Sequence, residues 1–405
     1  MNSTLLSIII PLYNKETYIR HCIEELLFIK SFDYEILCVD DHSTDSSYSI
    51  LQDLAKSNSK IRCYKNNINM GVANTRNRAL SLAHGKYVCF VDADDTMDAS
   101  ALNHYLHSME STQADGCFIR ILDTKENDLS IRHEFSAPIS GKKILDYFVR
   151  SDTNFLYACG ALWNRSFLNT HNIRFHNMKI GEGGLFILEA LLHSNRVITN
   201  LVPGYHYNIN SSSTVYSKNS MKYSAFGQLK QILFLLFQLN SQREEPEIIT
   251  FIKWYLRKHI GGIRNLTLED FSLFPEGLNS NELFLYELLI QGADGFAKSL
   301  SLSKENELLL KTAGSVYLYG AGYEVLNTIY FCNQRNIEIK GILVSDKANN
   351  PDTLYGYRIH TFDPTNIKDP TIPFLIIAHS KHLSVIEKTL SMAGIKHILK
   401  FEDNK

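Results

Sequence analysis

The chain lacks a Cys-x-x-Cys pair. Its seven cysteines are Cys22, Cys38, Cys63, Cys89, Cys117, Cys159 and Cys332. Several lie inside strand-like runs and read as reduced core residues of a cytosolic protein, which disfavours a cysteine-held metal. No uninterrupted apolar run is long enough to span a bilayer. The apolar stretch Leu5–Ile10 has no basic segment before it and is broken by Pro11, so it reads as a first strand and not a signal peptide. A charge excess is missing too: the formal net charge is −2, and no global basic field argues for nucleic acid. Neither an internal repeat nor a low-complexity tract is evident. What remains is 405 residues, 44% apolar and 21% charged, an ordinary soluble composition with room for two or three domains.

The first stretch alternates strand and helix patterns. Ser7–Pro11, Tyr34–Val39, Ile61–Tyr64 and Tyr87–Val91 read as strands; Lys15–Phe28, Ser46–Ser57 and Val72–Ala83 read as helices. That alternation predicts a mostly parallel sheet with crossover helices, whose ligands bind beyond the carboxyl ends of the strands. Residues 220–310 read as mostly helical, with stripes at Leu229–Leu239 and Leu283–Ile290 and connections at Asn279–Asn281 and Gly292–Gly295. Strands at Ser315–Tyr319, Ile339–Val344 and Pro373–Ala378, with a helix at Leu383–Ala393, complete a small α/β unit. The expected division is an α/β domain over 1–215, a helical connecting region over 216–312 and a small α/β domain over 313–405.

Asp92-Ala93-Asp94-Asp95 follows the apolar run Tyr87–Val91. Alternation along a strand would turn Asp92 and Asp94 the same way. Two carboxylates there suit a hard divalent cation that bridges to substrate phosphates. They suit equally a solvated turn, where Asp is common. Pro11-Leu12-Tyr13-Asn14 and Asp40-Asp41 also lie just past strand ends, so all three segments are expected at one crevice.

Four ordered blocks carry a resemblance: Ser7–Asn14; Val39-Asp40-Asp41-His42-Ser43-Thr44-Asp45; Asn69–Val72 with Arg76-Asn77; and Phe90–Asp95. In these the chain resembles the GT-A fold family 2 glycosyltransferases of the bacterial surface-polysaccharide type, over about residues 5–215. The resemblance implies a nucleotide-sugar donor, commonly a UDP-sugar, with Mn²⁺ or Mg²⁺ on its diphosphate. Pro11 and Tyr13 would lie on the donor side, Tyr13 packing against the base, and Asp40 would accept from the base imide. Asp41 is placed with Asp40, although capping the helix near Ser46 fits it equally. Gly71 would admit backbone to the nucleotide, and Arg76 would lie near base and phosphates. Asp92 would hold the ribose or a metal-bound water, Asp94 would ligate the metal, and Asp95 would brace the loop.

The second half of such a domain supplies the acceptor site and the base that deprotonates the acceptor hydroxyl. Family members carry Glu-Asp at a helix start. This chain reads Gly181-Glu182-Gly183-Gly184-Leu185-Phe186, with Gly at the Asp position. Glu182 is therefore the candidate base, its rival role being a first-turn carboxylate stabilising the helix. Glu189 reads as structural. His206, in Tyr205-His206-Tyr207 ahead of Ser211–Thr214, is a candidate metal contact; a hydrogen-bonded surface His is the other reading. Trp163 is a candidate acceptor-side stacking residue, or else a buried tryptophan.

Val316–Gly322 resembles the start of a Rossmann-like unit, with Val325 at the third glycine position, Asp346 ending the second strand, and Asn349–Ile359 (with Gly356) similar to small nucleotide-binding-like modules of sugar-modifying enzymes. Tight turn packing would explain Gly320 and Gly322 as well. The leading expectation is a metal-dependent inverting hexosyl- or N-acetylhexosaminyltransferase, cytoplasmic or at the inner membrane face, acting on a cell-surface glycan or lipid-linked acceptor. Peripheral membrane association and homo-oligomerisation are compatible with it; a nucleic-acid partner is not. The rival expectations are a donor-binding scaffold with impaired catalysis, and a nicotinamide-dependent oxidoreductase or epimerase working through the C-terminal domain.

Overall fold

The computed structural model describes residues 4–153, 156–209, 220–238, 246–266, 278, 282, 286, 302–320, 325–333, 335–346, 353–354, 357–367, 369–377 and 380–401. The expected connections at 279–281 and 292–295, most of the stripe at 283–290, residues 211–214, Gly322, Asn349, Gly356 and Ala378 lie outside them. Two compact units emerge, Met1–Gln231 with Leu266–Gly277, and Ile232–Asn265 with Leu278–Lys405.

The first unit runs β1 (Leu6–Leu12), α1 (Ile19–Leu26), β2 (Tyr34–Asp40), α2 (Ser47–Ser57), β3 (Ile61–Lys65), α3 (Val72–Leu82), β4 (Tyr87–Phe90), β5 (Thr96–Met97), α4 (Ala99–Thr112), β6 (Gly116–Asp123), α5 (Gly141–Ser151), a short 3₁₀ turn (Ala158–Gly160), β7 (Ala161–Asn164), α6 (Arg165–Thr170), α7 (Glu182–His193) and β8 (Val197–Tyr207). The eight strands form one sheet in the order β3-β2-β1-β4-β7-β6-β8-β5. β3, β2, β1 and β4 are parallel, and β7 enters antiparallel to both β4 and β6. Helices cover both faces of the parallel part, so β1, β2 and β4 are buried almost throughout, as their near-continuous apolar runs require.

Pro11 decides where the crevice opens. β1 pairs with β2 through Leu12, but with β4 only through Ile9. The last bond across to the β4 side is Val91 N–H to the Ile9 carbonyl, 2.9 Å. A proline at position 11 thus removes an amide where the β4 ladder has already ended, and its missing donor costs nothing. β1 and β4 part there, opening the kind of carboxyl-end crevice at which ligands bind in open α/β sheets.

Helix α1 starts at Ile19, four residues later than the apolar stripe suggests. Lys15 N–H is drawn to Ser47 Oγ (2.7 Å) and Glu16 N–H to Asp45 Oδ2 (3.1 Å), which holds this segment as a turn.

The described elements that follow are α8 (Ser220–Gln238), α9 (Pro246–Arg264) and α10 (Lys304–Ala313). Then come β9 (Ser315–Tyr319), α11 (Val325–Asn333), β10 (Glu338–Val344), β11 (Thr353–Leu354), β12 (Tyr357–Thr361), β13 (Phe374–Ile376), α12 (Ser380–Met392) and β14 (Ile398–Lys400). A second sheet, β11-β12-β10-β9-β13-β14, is parallel except for β11. Tyr319, Leu343, Phe374, Ile376, Leu390 and Ile395 form its core. Gly320 has φ +113°, and a Cβ there would lie 2.0 Å from the Ile377 carbonyl oxygen, so close packing alone demands glycine. Among the described residues no helix is long and apolar enough to cross a membrane.

Candidate active site at the carboxyl edge of the first sheet

Past Leu12 the chain turns through Asn14, at φ +49°. Its backbone N–H donates to Ser43 Oγ (3.0 Å), and its Oδ1 accepts from Thr44 N–H (2.9 Å). These bonds tie the loop after β1 to the loop after β2 and leave Tyr13 46% exposed at the strand end, an aromatic face open to a planar ligand.

Asp40, the last residue of β2, is fully buried and accepts from Ser43 N–H at 3.2 Å, with Lys65 Nζ at 3.4 Å. Asp41 does not cap α2, contrary to one of its two expected roles. It accepts from Met70 N–H (2.8 Å), Gly71 N–H (2.8 Å) and Asn66 Nδ2 (2.7 Å), and so shapes the turn entering α3. The α2 entrance is served by Asp45, whose Oδ1 accepts from Ser47 N–H at 2.9 Å. Gly71 has φ +84°, and a Cβ there would find only Asn177 Oδ1, 3.8 Å away. Backbone conformation requires this glycine, and the space beside it is open.

β4 ends at Phe90, so strand alternation does not govern residues 92–95. They form a turn closed by Asp95 N–H on the Asp92 carbonyl, 2.9 Å. The three carboxylates consequently find three different partners. Asp92 Oδ1 accepts from Arg76 Nη2 (2.6 Å), and Asp94 Oδ2 accepts from Lys15 Nζ (2.5 Å). Asp95 is buried and accepts from the Tyr205 hydroxyl (2.6 Å) and Asn208 N–H (2.8 Å). Burial first, then the neighbouring Asp92 carboxylate, pushes its carboxyl up to about 8. Burial likewise raises the nearby Cys22 and Cys159 thiols, so neither offers a thiolate near neutrality.

Glu182 opens α7 and accepts from Arg76 Nη1 at 2.7 Å. A single buried guanidinium therefore joins the end of β4 to the start of α7. Burial works against its charge, but Asp92 and Glu182 together hold Arg76 above the ordinary arginine range.

The glycines of the Gly-Glu-Gly-Gly segment answer to close packing. A Cβ at Gly183 would meet Ala158 Cβ and N at 3.3 Å, and one at Gly184 would lie 2.3 Å from the Gln231 side chain. A side chain at 183 would press on the 3₁₀ turn, which would have to give by a few tenths of an ångström. Glu189, further along α7, has Oε2 3.6 Å from His176 Nε2.

Trp163 and His206 each take the second of their two readings. Trp163 is completely buried, stacked on Phe167 (6.0 Å) and edge-on to Phe118. A ring with no exposed face cannot stack on a sugar, so this is the core tryptophan of its two readings. His206 sits on β8 opposite Thr96, its Nε2 3.3 Å from Asp98 Oδ2. Lys15 and Tyr205 join the site without having been singled out. Nothing local in sequence signals a partner for Asp94 that lies 79 residues earlier.

Residues 7–171 match the family model described as Glycosyl transferase family 2. The chain is 27% identical over 273 residues to a poly(ribitol-phosphate) beta-glucosyltransferase of Bacillus spizizenii, covering 65% of this chain and 42% of that one. It is 34% identical over 134 residues to the UDP-Glc:alpha-D-GlcNAc-diphosphoundecaprenol beta-1,3-glucosyltransferase WfaP of Escherichia coli, covering 33% and 52%. The match thus spans about half, or less, of each of these relatives. The structure of S. aureus TarS 1–349 in complex with UDP-GlcNAc superposes with a TM-score of 0.57 at 19% identity, covering 83% of this chain and 90% of that one. Residues 7–171 thus match a glycosyl transferase family 2 domain, on a fold shared with TarS.

Proposed function

We propose that the chain is an inverting, metal-dependent glycosyltransferase that moves a sugar from a UDP-sugar to a cell-surface glycan or lipid-linked acceptor at the cytoplasmic face of the membrane. The observation that carries this reading is the meeting, at one sheet edge, of an exposed Tyr13, a buried Asp40, the open Gly71 turn, the Asp92–Asp95 turn and Glu182. Residues 1–215 would form the transferase domain.

The acidic turn suits a hard cation. Asp92 and Asp94 are oxygen donors with side chains 35% and 15% exposed, beside a third carboxyl, Asp95, that burial first and then Asp92 raise to about 8. Among the described residues no group of three or more His, Cys, Asp or Glu side chains is placed to hold a metal by itself. Donor phosphates would have to supply the rest of the cation's oxygen ligands. Asp94 would be the carboxylate ligand. When bound, Mn²⁺ or Mg²⁺ would neutralise charge building on the departing diphosphate.

The chain's own groups do the rest. Tyr13 and Pro11 flank the base, Asp40 braces the loop beneath it through Ser43 N–H, and Asp41 holds the Gly71 turn open against the nucleotide. Asp92 contacts the ribose. Glu182 takes the acceptor hydroxyl proton as the oxygen attacks the anomeric carbon from the face opposite the nucleotide. One C–O bond forms, the bond to the diphosphate breaks, and the configuration inverts.

Thermal unfolding with a panel of UDP-sugars, with and without Mn²⁺, tests this directly. A ligand that binds the native state at about 100 times its Kd stabilises it by about 2.7 kcal/mol, seen as a raised Tm. The reading expects such a shift for one donor, dependent on the metal and lost in Asp94→Ala. An Asp94→Ala protein that keeps the full metal-dependent shift would remove it.

A further inference from the structure

The donor and acceptor sides of the proposed site are joined through one side chain whose surroundings do not suit a phosphate ligand. Arg76 on α3 is 6% exposed at its side chain, and its two terminal nitrogens reach Asp92 Oδ1 (2.6 Å) and Glu182 Oε1 (2.7 Å). Its Nε is buried without a hydrogen-bond partner. The guanidinium carbon lies 5.2 Å from the centre of the Phe175 ring. Phe175 is itself stacked on Phe186 of α7 (4.2 Å, 4°) and edge-on to Phe90 of β4 (4.9 Å). The next residue of α3 completes the seat: Asn77 Oδ1 accepts from Phe175 N–H (2.9 Å), and Asn77 Nδ2 donates to the Phe175 carbonyl (2.7 Å). Arg76 and Asn77 therefore lock the same aromatic wedge between the donor strand and the base helix.

We propose that Arg76 is a positioning residue for Glu182, a fork that sets the base by reference to the donor-side Asp92. The inference rests on the assignment of Glu182 as base. Arg76 holds Glu182 by Oε1, the one carboxylate oxygen for which a hydrogen bond is present among the described residues, and Oε2 is left to receive the acceptor proton. With one guanidinium shared by two carboxylates, the distance between donor contact and base is set by a rigid planar group and not by two independent rotamers. Lysine cannot reproduce this: a single ammonium on a flexible stem keeps the charge but loses the fork.

The test is steady-state transfer, or donor hydrolysis, by wild type, Arg76→Lys, Glu182→Gln and the double variant. Melting temperatures of the same four proteins are recorded alongside. Positioning predicts that Arg76→Lys lowers kcat by about a hundredfold, the effect of a misplaced reacting group, while donor KM stays within about threefold. It also predicts that the double variant is no slower than Glu182→Gln alone, because the two residues act as one unit. An Arg76→Lys protein with kcat preserved and donor KM raised tenfold or more would make Arg76 a donor ligand and overturn the inference. Wild-type kcat in Glu182→Gln would instead remove the base assignment beneath it. The melting temperatures decide the fork without turnover: non-additive shifts support it, and additive shifts remove it.

Discussion

The Tyr205 hydroxyl donates to Asp95 Oδ2 at 2.6 Å and accepts from Asp92 N–H at 3.2 Å, so one phenol on β8 pins both ends of the acidic turn. The two residues are 110 apart in sequence, and both are buried. Burial raises the phenol further, which keeps it a donor throughout the working pH range. The turn that presents Asp92 and Asp94 is therefore held by the far strand of the domain and not by its own sequence.

Removing that hydroxyl should be felt at the turn. Tyr205→Phe keeps the ring but leaves buried Asp95 with one fewer donor and the Asp92 amide without its acceptor. A loss of about 1–3 kcal/mol is expected in urea unfolding, together with weaker donor binding. Unchanged donor affinity in a folded Tyr205→Phe protein would show that the turn is held by other contacts.

Restoring the family aspartate should not help. Gly183→Asp puts a Cβ against Ala158 at 3.3 Å and a carboxylate beyond it. The Ala158–Gly160 turn must give way, at a cost of about 1–3 kcal/mol. Transfer is expected to stay at or below the wild-type rate; a clear gain would mean that the site was built for a base at 183.

Trp163 offers a clean contrast between core and acceptor roles. Its Nε1 is buried without a partner, so Trp163→Phe loses apolar contact but no hydrogen bond. A stability loss of about 1–3 kcal/mol is expected, with acceptor KM unchanged. A raised acceptor KM at unaltered stability would reverse the assignment.

Acid stability should report on Glu35, away from the site. Desolvation opposes its charge, but hydrogen bonds from Ser7 Oγ (2.6 Å), His84 N–H (2.7 Å) and Arg62 (2.5 Å) outweigh that and hold the carboxyl below its ordinary value. Because the folded state binds the proton less readily than the unfolded chain, this stabilisation is present above the ordinary carboxylate value. It is lost as pH falls through the lowered folded one. Urea midpoints between roughly pH 6 and 3 should fall less steeply for Glu35→Gln, from a lower start. Parallel curves would show that Glu35 contributes nothing to the acid limb.

Sequence alone determined the parts whose signals are local. The apolar runs Ser7–Pro11, Tyr34–Val39 and Tyr87–Val91 read as strands, and the helical stripes between them leave a parallel sheet with crossover helices as the expected arrangement. Pro11, Asp40 and the Asp92–Asp95 cluster, each at a strand end, place the site at the carboxyl edge for the same reason. What each carboxylate does there depended on contacts across 16 to 113 residues of separation, which no local pattern encodes. Tertiary structure turned Asp41 to the Gly71 turn, gave Asp94 to Lys15, buried Asp95 under Tyr205 and joined Asp92 to Glu182 through Arg76. It also took Trp163 into the core and filled the space beside Gly183 with Ala158. Burial and charge pairing are properties of the assembled fold, and they decided which of these residues remain open to a ligand.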